Sequence, residues 1–207
     1  MSVPHEPLGL ARGQVRVLAH DPRWADLFQE ESLRLSTPGA LAALPALTLE
    51  HFGSTAVPGL VAKPILDILA GHPADLAASV YVPSLAALGY EPRGDQGVPG
   101  RELLVRGRPT ARTHHLHLVA LDSAQWREPL IFRDRLRAEP ALAGAYAVLK
   151  LELAAKHASD RGAYTDGKAC FIMAARGDCH ARAPQLRNGE GPLPRLRAGS
   201  GSGARDE

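Results

Sequence analysis

The stretch HFGSTAVPGLVAKPILDIL, residues 51 to 69, decides the fold. It reads as strand, polar glycine loop, strand. Leu47, Leu49 and Phe52 bring the chain in as an apolar strand. Gly53-Ser54-Thr55 breaks that pattern, and Val57-Pro58-Gly59 makes a rigid turn with a flexible exit. Ile65 to Leu69 then forms a buried strand with one carboxylate in it. A carboxylate in an apolar strand is costly unless it is paired or binds a cation. Asp67 is therefore the leading functional residue.

The chain has 207 residues, 45% of them apolar, enough for one domain with a core plus tails. Its formal net charge is +2. Residues 176 to 207 carry six Arg against Asp178, Glu190, Asp206 and Glu207, so the remaining body is neutral. This argues against bulk capture of nucleic acid, although a tRNA end stays open as an acceptor. No apolar run approaches the ~20 residues of a membrane span, and no signal-peptide pattern opens the chain. Cys170 and Cys179 form no CxxC pair and no disulfide framework, which fits a reducing, cytoplasmic setting.

Outward from the central loop, residues 1–13 are Pro- and Gly-rich and are expected to be loose. Val15 to Leu18 is a short strand. Asp21-Pro22 opens a helix, with Asp as cap. Trp24, Leu27, Phe28 and Leu35 form the buried stripe of that helix, with Glu30, Glu31 and Arg34 off it, and Pro38-Gly39 ends it. Pro73 opens a helix to about Leu88, capped by Gly89. Arg93 to Gly100 is a loop. Arg101–Arg106 and Thr113–Leu121 pair as antiparallel strands. Helices follow from Asp122-Ser123, from Pro140 and from about Asp166 to Ala175, where Cys170 reads as core. Residues 177–207 hold six Gly, three Pro and only three large aliphatics, too few to order the segment. The domain is thus residues 14–176: α+β, a small mixed sheet flanked by helices with a helical C-terminal half.

The Gly-Ser loop lets backbone and hydroxyl approach a phosphate, but GxxxxGK[ST] is absent, and an ordinary turn is the alternative. His115 and His117 alternate on one strand and share a face. They fit a transition metal, a phosphate or acid–base work, with hydrogen-bonded sheet histidines as the alternative. Glu102 on the preceding strand adds a carboxylate if it shares that face. Lys63, Arg101 and Arg112 suit phosphate charge, with solvated surface cations as the alternative. Lys150 and Lys168 could reach a base or phosphate from the helical half. Histidine-triad hydrolases need a third alternate histidine where this chain has Val119.

HFGSTAVPGLVAKPILDI resembles the signature of the GrpB family, itself similar to the nucleotidyltransferase superfamily. The likeness continues through RTHHLHLV (112–119), FRDRLRAEP (132–140), YAVLK (146–150) and YTDGKACFI (164–172). The resemblance implies a nucleotidyltransferase-like fold and metal-dependent transfer of a nucleotidyl group from a nucleoside triphosphate to an unknown acceptor. It implies Mg²⁺ or Mn²⁺ on Asp67, and phosphates on Gly53, Ser54 and Thr55, with Lys63, Arg101 and Lys168 neutralising them. The superfamily's second carboxylate falls on Leu69. Either His115, His117 or Glu102 completes the metal site, shifting it toward Mn²⁺ or Zn²⁺, or the chain is an inactive module that binds a nucleotide or phosphorylated metabolite. Asp67 and His117 would be catalytic in the first case. Similar domains occur fused to dephospho-CoA kinase, which adds a structural partner of a coenzyme A enzyme as a third reading.

Overall fold

A computed structural model describes residues 7–37, 39 and 41–177. Of the termini expected to be loose, residues 1–6 and 178–207 fall outside these residues, as do Pro38 and Cys179; within them the Gly9 amide donates to the Pro64 carbonyl at 2.8 Å and buried Leu10 bridges to Arg112. The elements are α1 (Arg23–Ser36), β1 (Thr48–Phe52), β2 (Leu66–His72), α2 (Val82–Ala87), β3 (Glu91–Pro92), β4 (Arg101–Arg108) and β5 (Ala111–Ala120). Four helices follow: α3 (Ala124–Ala138), α4 (Pro140–Lys156), α5 (Arg161–Asp166) and α6 (Ala169–Arg176). The strands form one mixed sheet in the order β1-β2-β5-β4-β3. Only β2 and β5 run parallel; the other pairs are antiparallel. The expected α+β architecture with a helical C-terminal half is what the chain adopts.

Alternation along the strands gives the sheet two different faces. Ile68, Ala70, Leu104, Leu116 and Leu118 lie on one face and are sealed by Phe28 and Leu35 of α1, Leu85 of α2, and Tyr81 and Tyr90. Each fully buried large aliphatic contributes roughly 1.5–3 kcal/mol, so this side anchors the fold. The other face carries Asp67, His115 and His117. Val57 and Leu60, just after the glycine loop, pack on Leu136 of α3 and Tyr146 of α4, which brings the helical half beside that face.

Several local expectations are corrected. Residues 15–18 form no strand, only a bridge from Leu18 to Ala62. The helix expected from Pro73 is a short 3₁₀ turn at Ala78–Val80 followed by the six-residue α2. Pro83 lacks an amide donor and is accepted only in a first turn, so the helix has to restart there. The last helix, expected from about Asp166, begins only at Ala169 as α6, and the short α5 precedes it. A Cβ on Gly167 between them would come within 2.6 Å of Leu153 Cδ2, so a larger residue there would have to displace that α4 side chain. Cys170 is exposed, not core. Asp21 accepts the Arg23 amide at 3.0 Å, but α1 begins after Pro22.

Glu31 is the main revision. It occupies the buried stripe between Phe28 and Leu35 and is 5% exposed. Its carboxylate accepts hydrogen bonds from Arg34, from Arg106 of β4 and from the Tyr90 hydroxyl. Burial alone would raise this carboxyl, but the bonds from Arg34 and Tyr90, with the charges of His114 and Arg106, hold it below its ordinary range.

Glu31→Ala leaves two guanidinium groups and a buried phenol without their acceptor. We expect a loss of about 2 kcal/mol in urea unfolding, discounted because both arginines reach solvent. A lowered carboxyl stabilises the fold above its unfolded value and loses that contribution as pH falls through the lower folded one. The acid limb of the stability profile should therefore flatten in Glu31→Ala; an unchanged limb would refute the assignment.

Candidate functional site

The parallel register of β2 and β5 builds the site. Asp67 lies beside His115 and Leu69 beside His117, and all four share the face away from α1. His115 Nδ1 is 3.2 Å from Asp67 Oδ1, and His117 Nε2 is 4.0 Å from the same oxygen. One ligand atom from each of the three residues lies within 4.8 Å of the other two. Burial would raise the Asp67 carboxyl, but the hydrogen bond and charge of His115, with His117 and Lys63, hold it down to about 2. Burial pushes His117 down to about 3 despite the nearby carboxylate. At neutral pH the cluster thus offers an anionic oxygen and a neutral imidazole, the protonation states that bind metal. Two histidines and one carboxylate on one face, open opposite, match a three-ligand transition-metal arrangement.

The glycine loop closes over this cluster. Gly53 has φ +70° and ψ −167°. A Cβ there would sit 2.6 Å from Asp67 Oδ2, so the backbone lies directly against the carboxylate. Arg133 donates to the His51 carbonyl at 2.8 Å, and Arg137 donates twice to the Ala56 carbonyl. Two arginines of α3 thus pin the loop at both ends. Ser54 is hydrogen-bonded to Tyr146, whose phenol is raised by burial and by the charge of Tyr164 and Asp67. The Thr55 hydroxyl is committed to His51 Nε2 at 2.9 Å and is buried, so it stiffens the loop instead of presenting itself to a phosphate. His51 itself stacks on Phe28, an internal hydrogen-bonded residue.

A cleft of about 690 Å³ opens over the cluster. Ser54, Asp67, His115 and His117 line it together with Lys63, Arg101, Arg161 and Lys168. The ammonium groups of Lys63 and Lys168 lie 5.4 and 4.4 Å from the Tyr164 ring centre. Burial lowers both lysines; Lys168, also near the charge of Lys63, is pushed down to about 8. Arg101 donates to the Asp95 carbonyl, while its buried Nε has no partner among the described residues.

Other expected residues lie elsewhere. Glu102 pairs with Leu118, which puts it on the opposite face from His117, and it accepts the Gly94 amide at 2.9 Å; it cannot join the metal ligands. Arg112 is buried against the Gly107 carbonyl and Glu91. Lys150 is fully buried, donates to the Val61 carbonyl and lies 4.8 Å from the Tyr146 ring centre, so it supports the loop rather than the cleft. Burial and the charge of Lys168 push it down to about 7. Leu69, where a second carboxylate would stand, is buried. Glu50 lies across from it on β1 but is engaged by Arg133 at 2.7 Å.

Gly53→Ala forces a methyl group onto the Asp67 carboxylate in a backbone region that disfavours it. We expect metal affinity to fall by about tenfold or more, as for other changes that misorient a ligand. The mutant should keep its circular dichroism. Mn²⁺ titration followed by electron paramagnetic resonance measures this, and wild-type affinity in the mutant would disprove the close approach.

The family model described as GrpB protein matches residues 14–177. A UPF0157 protein of Pseudomonas aeruginosa, PA4798, is 40% identical over 181 residues, covering 85% of this chain and 73% of that protein. The UPF0157 protein YqkA of Bacillus subtilis is 36% identical over 162 residues, covering 78% of this chain; the match spans 46% of that relative's length. The crystal structure of conserved protein GrpB from Enterococcus faecalis superposes with a TM-score of 0.69 at 34% identity, over 79% of this chain and 96% of that one. A family model spanning most of the chain and relatives at this identity establish that the chain belongs to the GrpB family.

Proposed function

We propose that this chain is a divalent-metal-dependent nucleotidyltransferase, taking a nucleotidyl group from a nucleoside triphosphate to an acceptor. One observation carries the reading: Asp67, His115 and His117 converge against Gly53 on the floor of a cleft lined by four cations. The three side chains would hold the metal. With two imidazoles among three ligands the donor set suits Mn²⁺ or Zn²⁺ better than Mg²⁺, which prefers oxygen. A bound cation would supply Lewis-acid polarisation of phosphoryl oxygens. Ser54 would donate its hydroxyl to a phosphate oxygen. Lys63, Arg101, Arg161 and Lys168 would neutralise the polyphosphate. In the transfer an acceptor oxygen bonds the α-phosphorus, the α–β bridge breaks and pyrophosphate leaves.

A second reading is an inactive module that senses the same ligand. Buried Leu69 favours it, because two-metal chemistry needs more carboxylates than this face offers.

Calorimetric titration of the four nucleoside triphosphates with Mn²⁺, Zn²⁺ and Mg²⁺ tests the site. We expect wild type to bind them only with metal, and Asp67→Ala to lose that binding. Metal-independent binding that survives Asp67→Ala, without pyrophosphate release, selects the sensor; no binding by wild type ends both readings.

Lys168 supplies a pH test. Its ammonium is lowered to about 8, and a bound polyanion favours the charged form. Nucleotide binding at pH 8 should take up protons, and affinity should weaken as pH rises from 7 to 9. Lys168→Met should remove that slope; a slope of opposite sign would contradict the placement.

A further inference from the structure

Asp67, the carboxylate of the metal cluster, borders two hollows, on either side of β2. The cationic cleft extends toward β4, β5 and α5. A second pocket, of about 260 Å³, extends toward α3, α4 and α6. They share Phe52, Ser54, Asp67 and Lys168 as a common wall. We infer that this second pocket is the acceptor subsite, and that the acceptor is a small molecule with a planar apolar body and a hydroxyl group. This rests on the nucleotidyltransferase reading above.

The walls make the case. The cleft is large enough for a whole nucleotide, since sites of roughly 300–1,000 Å³ take ligands of that class. The second pocket is left for the other reactant. Where the cleft has four cations, the pocket has Phe52, Phe132, Leu136, Tyr146, Ile172 and Pro129. Phe132 meets Tyr146 edge-on at 5.1 Å between ring centres, giving fixed aromatic surfaces for a flat group. The pocket's arginines do not favour a second polyanion. Arg133 is engaged by Glu50, Asp134 and the His51 carbonyl, and Arg176 pairs with Glu128 at 2.6 Å. The pocket's volume of about 260 Å³ suits one ring system with a short arm. Its position suits displacement at phosphorus, in which nucleophile and leaving group lie on opposite sides. An acceptor hydroxyl enters past Asp67 from the α3–α4 side, its proton passing to solvent water as the new oxygen–phosphorus bond forms. Pyrophosphate departs into the cationic cleft.

The probe is tyrosol, a phenol carrying a short alcohol arm, followed by saturation-transfer NMR on the full chain with Zn²⁺ and a non-hydrolysable triphosphate analogue. Ile172→Trp fills the pocket, and Glu128→Ala alters its rim should the first variant fold poorly by circular dichroism. We expect wild type to bind tyrosol saturably without displacing the nucleotide. Ile172→Trp should weaken tyrosol by about tenfold or more, a loss of one decade in Kd, and leave nucleotide affinity within twofold. Nucleotide binding without saturable tyrosol binding overturns the acceptor site alone. Equal losses of both ligands in Ile172→Trp, or displacement of nucleotide by tyrosol, assign the pocket to the nucleotide's own base and also overturn it. Failure of wild type to bind nucleotide sinks the underlying reading and the acceptor site with it.

Discussion

Asp67 sits in the middle of a sheet whose neighbouring residues are sealed from water, and an ion there must be compensated. The parallel pairing of β2 with β5 supplies the compensation: it sets His115 level with the carboxylate and His117 one step beyond. A slip of one residue would turn both histidines into the apolar core and leave the carboxylate facing Leu116. The arrangement of the loop follows from the same pairing. Gly53 can lie against Asp67 only because it has no side chain, and the arginines of α3 hold the rest of the loop in that position. The helical half is therefore part of the site even where it contributes no ligand.

β5 serves two polar centres at once. His114 faces the core side, near Tyr90 and the Glu31 cluster, and burial pushes it down to about 4. His115 and His117 face the cleft. The two centres differ in kind. Glu31 is saturated, with four hydrogen bonds from three side chains on its two oxygens, so it ties α1 to the sheet. Asp67 receives one hydrogen bond and opens onto two hollows. The same chemistry, a carboxylate among cations and histidines, is structural where it is complete and available for ligands where it is not.

This contrast also explains what could be read from the residues. Asp67 and the alternating histidines were legible because a period of two is local information. Their meeting was not, because nothing near residue 67 specifies residue 115 as its neighbour in a parallel pair. Glu102 was misplaced for a related reason. In Arg101–Arg106 three apolar residues run together, so the strand shows no alternation, and only its pairing with β5 decides which side is core. Glu31 was legible by spacing, at the 24, 28, 31, 35 positions of one stripe, and was set aside only for its charge. Arg161 had no local signal: it opens a six-residue helix, and only the packing of α5 turns it toward the cleft.

Replacing a second carboxylate by leucine changes the charge of the whole site. With one carboxylate, a bound divalent cation leaves the ligand set at a net positive charge, and four further cations line the cleft. Such a site would hold its metal more weakly alone than together with an anion. In the proposed site the three ligands would give the cation its position and a polyphosphate would supply the missing negative charge, so metal and nucleotide would bind as a coupled pair. The lowered ammonium groups of Lys63 and Lys168 fit this picture, since burial disfavours positive charge that a polyanion would restore. Two imidazoles would add ligands to the metal without adding charge. The leucine is thus consistent with a one-metal site in which the substrate, and not the protein, provides the remaining anionic ligands.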